Sequence, residues 1–186
     1  KETKAQTRTA AAAPAGARRR RSGAGKPPAF AEPQLATLVD AVPEGAEWVH
    51  EIKFDGYRCL AAVAGEEVRL HTRSGLDWTD RFPGIAEALR NADLPAALID
   101  GEVVATDAEG NPNFSILQAR LREGAAQDLQ FHAFDLLAAD GNDLTALPLT
   151  ERKAALSAVL SALPAPIHVA EHIAGHGEKL FAAMCS

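Results

Sequence analysis

The feature that most narrows the fold is a succession of strand-like segments separated by turn signals. Tyr57 to Val63 and Val68 to Arg73 read as two strands, and Ala64-Gly65-Glu66-Glu67 joins them over a hairpin-length link. A hairpin commits its strands to antiparallel pairing. Ala97 to Ala105 and Leu129 to Leu137 are further strands rich in apolar residues, with helices predicted near Pro83 to Asn91 and near Ser115 to Leu121. A third helix is predicted from Thr150, as a cap with Glu151 behind it, through Leu163. Mixed strands and helices in this order argue for an α+β fold over a doubly wound sheet. The sequence has no internal repeat and no Gly-rich loop of the P-loop or dinucleotide type, so a nucleotide site has to be assembled from strands and side chains.

A chain of 186 residues with 47% hydrophobic content suits one domain with a filled core. Its net charge of -6 hides an asymmetry. Residues 1–29 hold eight basic residues, among them Arg18 to Arg21, against the single acid Glu2, a net of +7; the remaining 11 basic and 24 acidic residues give -13. The basic stretch has no large apolar residue until Phe30, so it cannot bury enough surface to offset the entropy of ordering. Residues 1–29 are expected to be a linker, able to touch phosphate backbones by charge, and residues 30–186 the folded domain. Cys59 and Cys185 stand far apart without ligand spacing, which points away from a disulfide framework or structural zinc and fits a reducing compartment. No signal peptide or spanning segment is readable, so the expected setting is a soluble intracellular protein, or a piece of one, with no membrane partner.

The segment from Glu32 to Val42, with Leu35, Leu38 and Val39 spaced periodically, predicts a small helix, closed by Val42-Pro43-Glu44-Gly45. Between Trp48 and Asp55 the pattern changes to strand-like alternation. Trp48, His50, Ile52 and Phe54 fall on one face; Val49, Glu51, Lys53 and Asp55 fall on the other, so Glu51 and Lys53 are expected to face a pocket together. Asp55 and Gly56 read as turn residues that position Lys53, the glycine through tolerance of positive φ.

Four segments in order carry a resemblance. They are Glu51-Ile52-Lys53-Phe54-Asp55-Gly56-Tyr57-Arg58, Thr72-Arg73-Ser74-Gly75, Asp100-Gly101-Glu102-Val103-Val104 and Phe131-His132-Ala133-Phe134-Asp135-Leu136-Leu137. From about Phe30 to its end the chain resembles the covalent lysine nucleotidyltransferases, which comprise DNA ligases, RNA ligases and mRNA-capping guanylyltransferases. Trp48-Val49-His50 before the lysine, Leu76-Asp77-Trp78-Thr79, and Pro148-Leu149-Thr150-Glu151-Arg152-Lys153 are most similar to the ligase domain of bacterial DNA ligase D of non-homologous end joining.

The resemblance implies the nucleotidyltransferase fold, antiparallel sheets flanked by helices, and an ATP-dependent DNA ligase with Lys53 as nucleophile. A lysine amine must lose its proton before it can attack the α-phosphorus of ATP, and its ordinary pKa is about 10.4. Partial desolvation and neighbouring cations, here Arg58, Arg73 and a divalent metal, are expected to favour the neutral amine. The resemblance assigns Arg58 and Arg73 to clamping the nucleotide, for which a planar guanidinium suits phosphate and ribose oxygens. It assigns Glu102 to the ribose or to Mg²⁺ or Mn²⁺, Phe134 to stacking on adenine, and Glu51 and Ile52 to the nucleotide pocket.

DNA with nicks or ends is the implied substrate, a Ku-like end-binding protein the implied partner, and a cytoplasmic, nucleoid-associated bacterial location the implied setting. The family's second glutamate motif, its Lys-x-Lys motif and an oligonucleotide-binding domain are expected beyond Ser186, so the fold is expected to be incomplete at its C-terminus and these residues alone to seal few nicks. An RNA ligase or guanylyltransferase shares the lysine chemistry and is the nearest alternative; a non-catalytic DNA-binding module is one of another class. His168, His172 and His176 recur at four-residue intervals, but Pro164, Pro166 and Gly175 surround them and Ile167 to Ile173 reads as a strand, against a helical zinc site. A short helix is expected to begin at Lys179.

Overall fold

The computed structural model describes residues 25–161 and 163–184. Arg18 to Arg21 and Cys185 lie outside the described residues, as does nearly all of the expected linker. In chain order the strands are β1 (Val49–Glu51), β2 (Tyr57–Gly65), β3 (Glu67–Thr72), β4 (Leu94–Val104), β5 (Gln130–Ala139), β6 (Asn142–Asp143), β7 (Ile167–Val169) and β8 (His172–Ala174). The α-helices are α1 (Pro83–Asn91), α2 (Phe114–Glu123), α3 (Leu149–Leu160) and α4 (Gly177–Met184).

The larger sheet runs β3-β2-β4-β5-β6, with β7 on β5 as its sixth strand. All its pairings are antiparallel except β5 with β7. β1 and β8 form a separate antiparallel pair. This is the expected α+β arrangement of antiparallel sheets flanked by helices.

Alternation along the strands sorts side chains to two faces of the sheet. Cys59, Ala61 and Val63 of β2 join Ile99 of β4, Phe131 of β5 and the apolar stripes of α1 (Ile85, Leu89), α2 (Leu117) and α3 (Leu156, Leu160) in the main core. On the opposite face Leu60, Ala62 and Leu98 form a smaller cluster, over which Phe30, Ala31, Leu137 and Ala138 pack. β2 and β4 are thus covered on both sides, which is why they read as nearly continuous apolar runs. Where this second face becomes polar, Arg58 lies opposite Glu102, and Glu102 opposite His132.

Several expectations are corrected. Residues 26–39 form no helix, because Leu35, Leu38 and Val39 are exposed, Leu38 by 95%, and a short helix without a packing partner does not repay its nucleation cost. β1 stops at Glu51, so Lys53 and Asp55 belong to an irregular segment rather than to a strand. β3 ends at Thr72, and Arg73 lies in the turn that follows. The expected strand from Ile167 to Ile173 is two strands in different sheets, with Ala170 bonded back to the Ala133 carbonyl at 2.7 Å between them. The N-cap of α3 is Pro148, whose fixed φ of -52° leads into the helix, while Thr150 lies inside it. Among the described residues no helix is long and apolar enough to cross a membrane.

Candidate active site

The segment between β1 and β2 presents Lys53. Two contacts hold it against the larger sheet. The Phe54 ring packs at a tilt of 30° on His132 of β5 with centroids 4.3 Å apart, and His132 stacks on His168 of β7 at 4.9 Å. At Gly56 a Cβ atom would stand 2.1 Å from the Val103 carbonyl oxygen, so any side chain would force the loop off β4. Gly56 is not among the positive-φ glycines, and its expected role is corrected accordingly: the position needs glycine for close approach, not for a left-handed backbone. Lys53 itself is 86% exposed, with its Nζ 3.7 Å from a carboxylate oxygen of Asp55.

The polar end of the sheet face gathers Arg58, Asp100, Glu102 and Phe134. Arg58 donates from Nε and Nη2 to the two carboxylate oxygens of Asp100 at 2.6 and 2.7 Å, and its guanidinium lies 4.5 Å from the centroid of the Phe134 ring. Burial works against the Arg58 charge, but the hydrogen bonds and charge of Asp100 outweigh it and hold Arg58 above its ordinary range. Glu102 is half-buried; burial raises its pKa, opposed by the charge of Arg58, a hydrogen bond from the Gly56 backbone and the charge of Lys53. The Gly56 hydrogen bond and the Lys53 charge tie the lysine loop to Glu102. Burial, with His168 adding to it, lowers the His132 pKa to about 4, so its imidazole is neutral near pH 7 and offers Phe54 an uncharged face.

Glu51, Ile52 and Lys53 line a cleft of about 800 Å³ with Trp48, Val42 and Phe181. Glu51 and Lys53 therefore do share a cavity, although Lys53 is not on a strand. Arg58, Glu102 and Phe134 do not line this cleft; they sit on the adjoining sheet face. Arg73 is exposed in its turn. The three histidines at four-residue intervals are dispersed: His168 stands on β7, His172 on β8, and His176 beyond β8 at a φ of 55°.

Three polar residues that sequence reasoning passed over as site elements belong to this region. Asp100, only 2% exposed, holds Arg58; burial raises its pKa, opposed by Arg58. Asp135 receives a paired hydrogen bond from Arg152 Nε and Nη2, both at 2.8 Å. Lys153, on α3, donates to the Glu51 carboxylate and, at 2.7 Å, to the Phe134 carbonyl. A signal for the last was present: Lys153 shares a helical stripe with the buried Leu156 and Leu160, where a charge needs a partner.

A lysine presented in a cleft beside an Arg–Asp pair, a half-buried glutamate and a half-buried aromatic is suited to holding a nucleotide, and family comparison decides which kind of protein this is. The family model for the ATP dependent DNA ligase domain matches residues 33–185. The chain belongs to the ATP dependent DNA ligase domain family.

Among relatives of this ligase-family chain, the multifunctional non-homologous end joining protein LigD of Pseudomonas aeruginosa is 40% identical over 179 residues, covering 95% of this chain and 21% of that protein. A probable DNA ligase of Beutenbergia cavernae is 40% identical over 134 residues, covering 68% of this chain and 26% of that one. The crystal structure of the ligase domain of LigD from M. tuberculosis superimposes with a TM-score of 0.61 at 34% identity, over 73% of this chain and 43% of that one. A structure of mycobacterial DNA ligase D complexed with ATP and MES matches equally well, at a TM-score of 0.61. The chain spans only 21% to 26% of the length of these curated relatives.

Proposed function

We propose that this chain is the front part of the adenylation domain, taken as residues 30–186, of an ATP-dependent DNA ligase, and that Lys53 is its nucleophile. The observation that carries the reading is the seating of Lys53: the flanking Phe54 packs on His132 and Gly56 closes on Val103, so an exposed amine is presented within the electrostatic reach of Glu102. In the first step the Lys53 amine, having given up its proton, forms a bond to the α-phosphorus of ATP as the bond to pyrophosphate breaks. The resulting lysine-bound AMP passes to a DNA 5′-phosphate, and a neighbouring 3′-hydroxyl then displaces it to seal the strand.

The surrounding residues have matching tasks. Phe134 offers a flat face to adenine, a position now taken by the Arg58 guanidinium, and Arg58 and Arg73 supply donors for ribose and phosphate oxygens. Glu51 and Ile52 line the nucleotide cleft. Among the described residues no cluster of three His, Cys, Asp or Glu side chains is placed to hold a metal ion. Glu102 is the residue that would hold a Mg²⁺ or Mn²⁺ ion, for which a carboxylate oxygen is a suitable ligand. Such an ion would supply positive charge to the transferred phosphoryl group.

The names of the P. aeruginosa and M. tuberculosis relatives support a place in non-homologous end joining; we propose nicked or broken DNA as the substrate, a Ku-like end-binding protein as a partner and a bacterial cytoplasmic location. Mass spectrometry of the full-length protein after incubation with ATP and Mg²⁺ tests the reading. One AMP is expected on the peptide containing Lys53 and none in Lys53→Arg; label that persists in that variant overturns it.

A further inference from the structure

Arg58, Arg69, Arg120 and Arg152 each have a carboxylate within ion-pair distance. Arg81 and Arg122 have no such partner among the described residues. They belong to different elements, Arg81 to the 3-10 turn Thr79–Arg81 that follows β3 and Arg122 to the last turn of α2. Both nevertheless line one recess of about 170 Å³, with Tyr57, Trp78, Gln118 and Leu121. No carboxylate lines it, although residues 30–186 carry a net charge of -13. Two like charges brought to one recess repel each other, and an anion between them turns that repulsion into attraction.

Arg81 is also held in place. Its guanidinium lies 4.7 Å from the centroid of the Trp78 ring, and Trp78 in turn meets Tyr57 edge-on at 5.5 Å. A guanidinium fixed on a ring keeps the N–H groups at its edge available for phosphate oxygens, and little further ordering is needed when one binds. The Tyr57 hydroxyl and the Gln118 amide add neutral donors to the same recess.

Position in the fold points to the source of the anion. Tyr57 is the first residue of β2 and packs into the main core on the helix-covered face, opposite Arg58. The recess is therefore separate from the nucleotide site, yet it lies at the end of the sheet where the Lys53 loop enters. Four residues of fully extended chain, Lys53 to Tyr57, span at most about 14 Å. A DNA strand carries one phosphate per about 3.4 Å of helix axis. A duplex whose 5′-phosphate reaches Lys53 thus carries further phosphates past this end of the sheet within about four base pairs.

We infer that Arg81 and Arg122 together form a site for one phosphodiester group of the DNA substrate, away from the nucleotide. The inference rests on the ligase reading and adds to it a place where the DNA backbone is held. Contacts of this kind position a duplex without reading its sequence.

The test uses the full-length protein and a nicked duplex with a 5′-phosphate at the nick. Fluorescence anisotropy follows binding over a range of KCl concentrations; AMP transfer from Lys53 to the 5′-phosphate is followed over a range of duplex concentrations. Arg122→Gln, Arg81→Gln and the double variant are compared with Arg90→Gln, which removes an exposed arginine of α1 outside the recess. Arg122→Gln is expected to weaken binding on the order of tenfold and to raise KM for the duplex with kcat little changed. The slope of log affinity against log salt should fall by about one. Because both arginines meet one phosphate, the double variant should also lower the slope by about one, not two. Arg122 is exposed on α2, so if Arg81→Gln fails to fold, Arg122→Gln decides. An effect no larger than that of Arg90→Gln, or an unchanged salt slope, overturns the inference. Loss of ATP-dependent charging of Lys53 in a folded Arg122→Gln overturns it too, by assigning the arginine to the nucleotide site. Absence of AMP on wild-type Lys53 would defeat the ligase reading instead, while anisotropy, which needs no AMP, still decides the phosphate site.

Discussion

The residue that ties local chemistry to pH is His132. Its neutral ring is the surface on which Phe54 rests, and burial holds its pKa at about 4 against an ordinary 6.5. Between these values the unfolded chain takes up a proton that the folded chain refuses, so stability is fully present above pH 6.5 and falls as pH drops toward 4. Because the ring is only partly buried and partly screened by solvent, by pH 5 this one group should cost on the order of 1 kcal/mol relative to neutral pH. Urea denaturation of wild type and His132→Phe at pH 7 and pH 5 measures it: the variant, which keeps a ring but cannot titrate, is expected to lose less stability over that interval, and equal losses refute the assignment. Lys53, Phe54 and Gly56 could be picked out as a motif from the sequence. That the glycine is needed for contact with Val103, and the phenylalanine for a ring on a different strand, could not, because both partners lie dozens of residues away.

Among the elements, those with complete local signals were the legible ones. α1 begins at Pro83 and ends at Asn91 as its periodicity predicts, and α2 has its own start and stop signals in Asn113 and Gly124. Asn113 accepts a hydrogen bond from the Ile116 backbone at 3.1 Å, while Gly124 adopts a φ of 72°. Asn113→Ala should therefore lower stability by about 1 kcal/mol in thermal or chemical denaturation, and Asn113→Asp by much less. The helix predicted over Glu32 to Val42 failed for the complementary reason: its apolar residues had a period but no surface to meet. The strand predicted over Ile167 to Ile173 had apolar content but no local cue to show that one part would pair with Phe131–Ala133 and the next with Val49–Glu51.

At the scale of the molecule, paired charges fasten α3 to the site. Arg152 is bound to Asp135, with both side chains largely buried, and Lys153 is bound to Glu51. Arg152→Ala removes the guanidinium hydrogen-bonded to Asp135 and is expected to cost about 3 kcal/mol of folding free energy in urea denaturation. Replacing both partners with apolar residues should recover part of that loss, since removing a buried pair costs less than orphaning one of its charges. The sequence by itself determined the α+β class, the hairpin, most helix positions and the order of the motifs that mark a lysine nucleotidyltransferase. These follow from periodicity, turn chemistry and residue type, all local in the chain. Only the tertiary structure decided that Asp100 holds Arg58, that Lys153 holds Glu51, and that Phe54 lies on His132. Such pairings depend on strand register and on which buried charge finds which partner, and neither is encoded within any one segment.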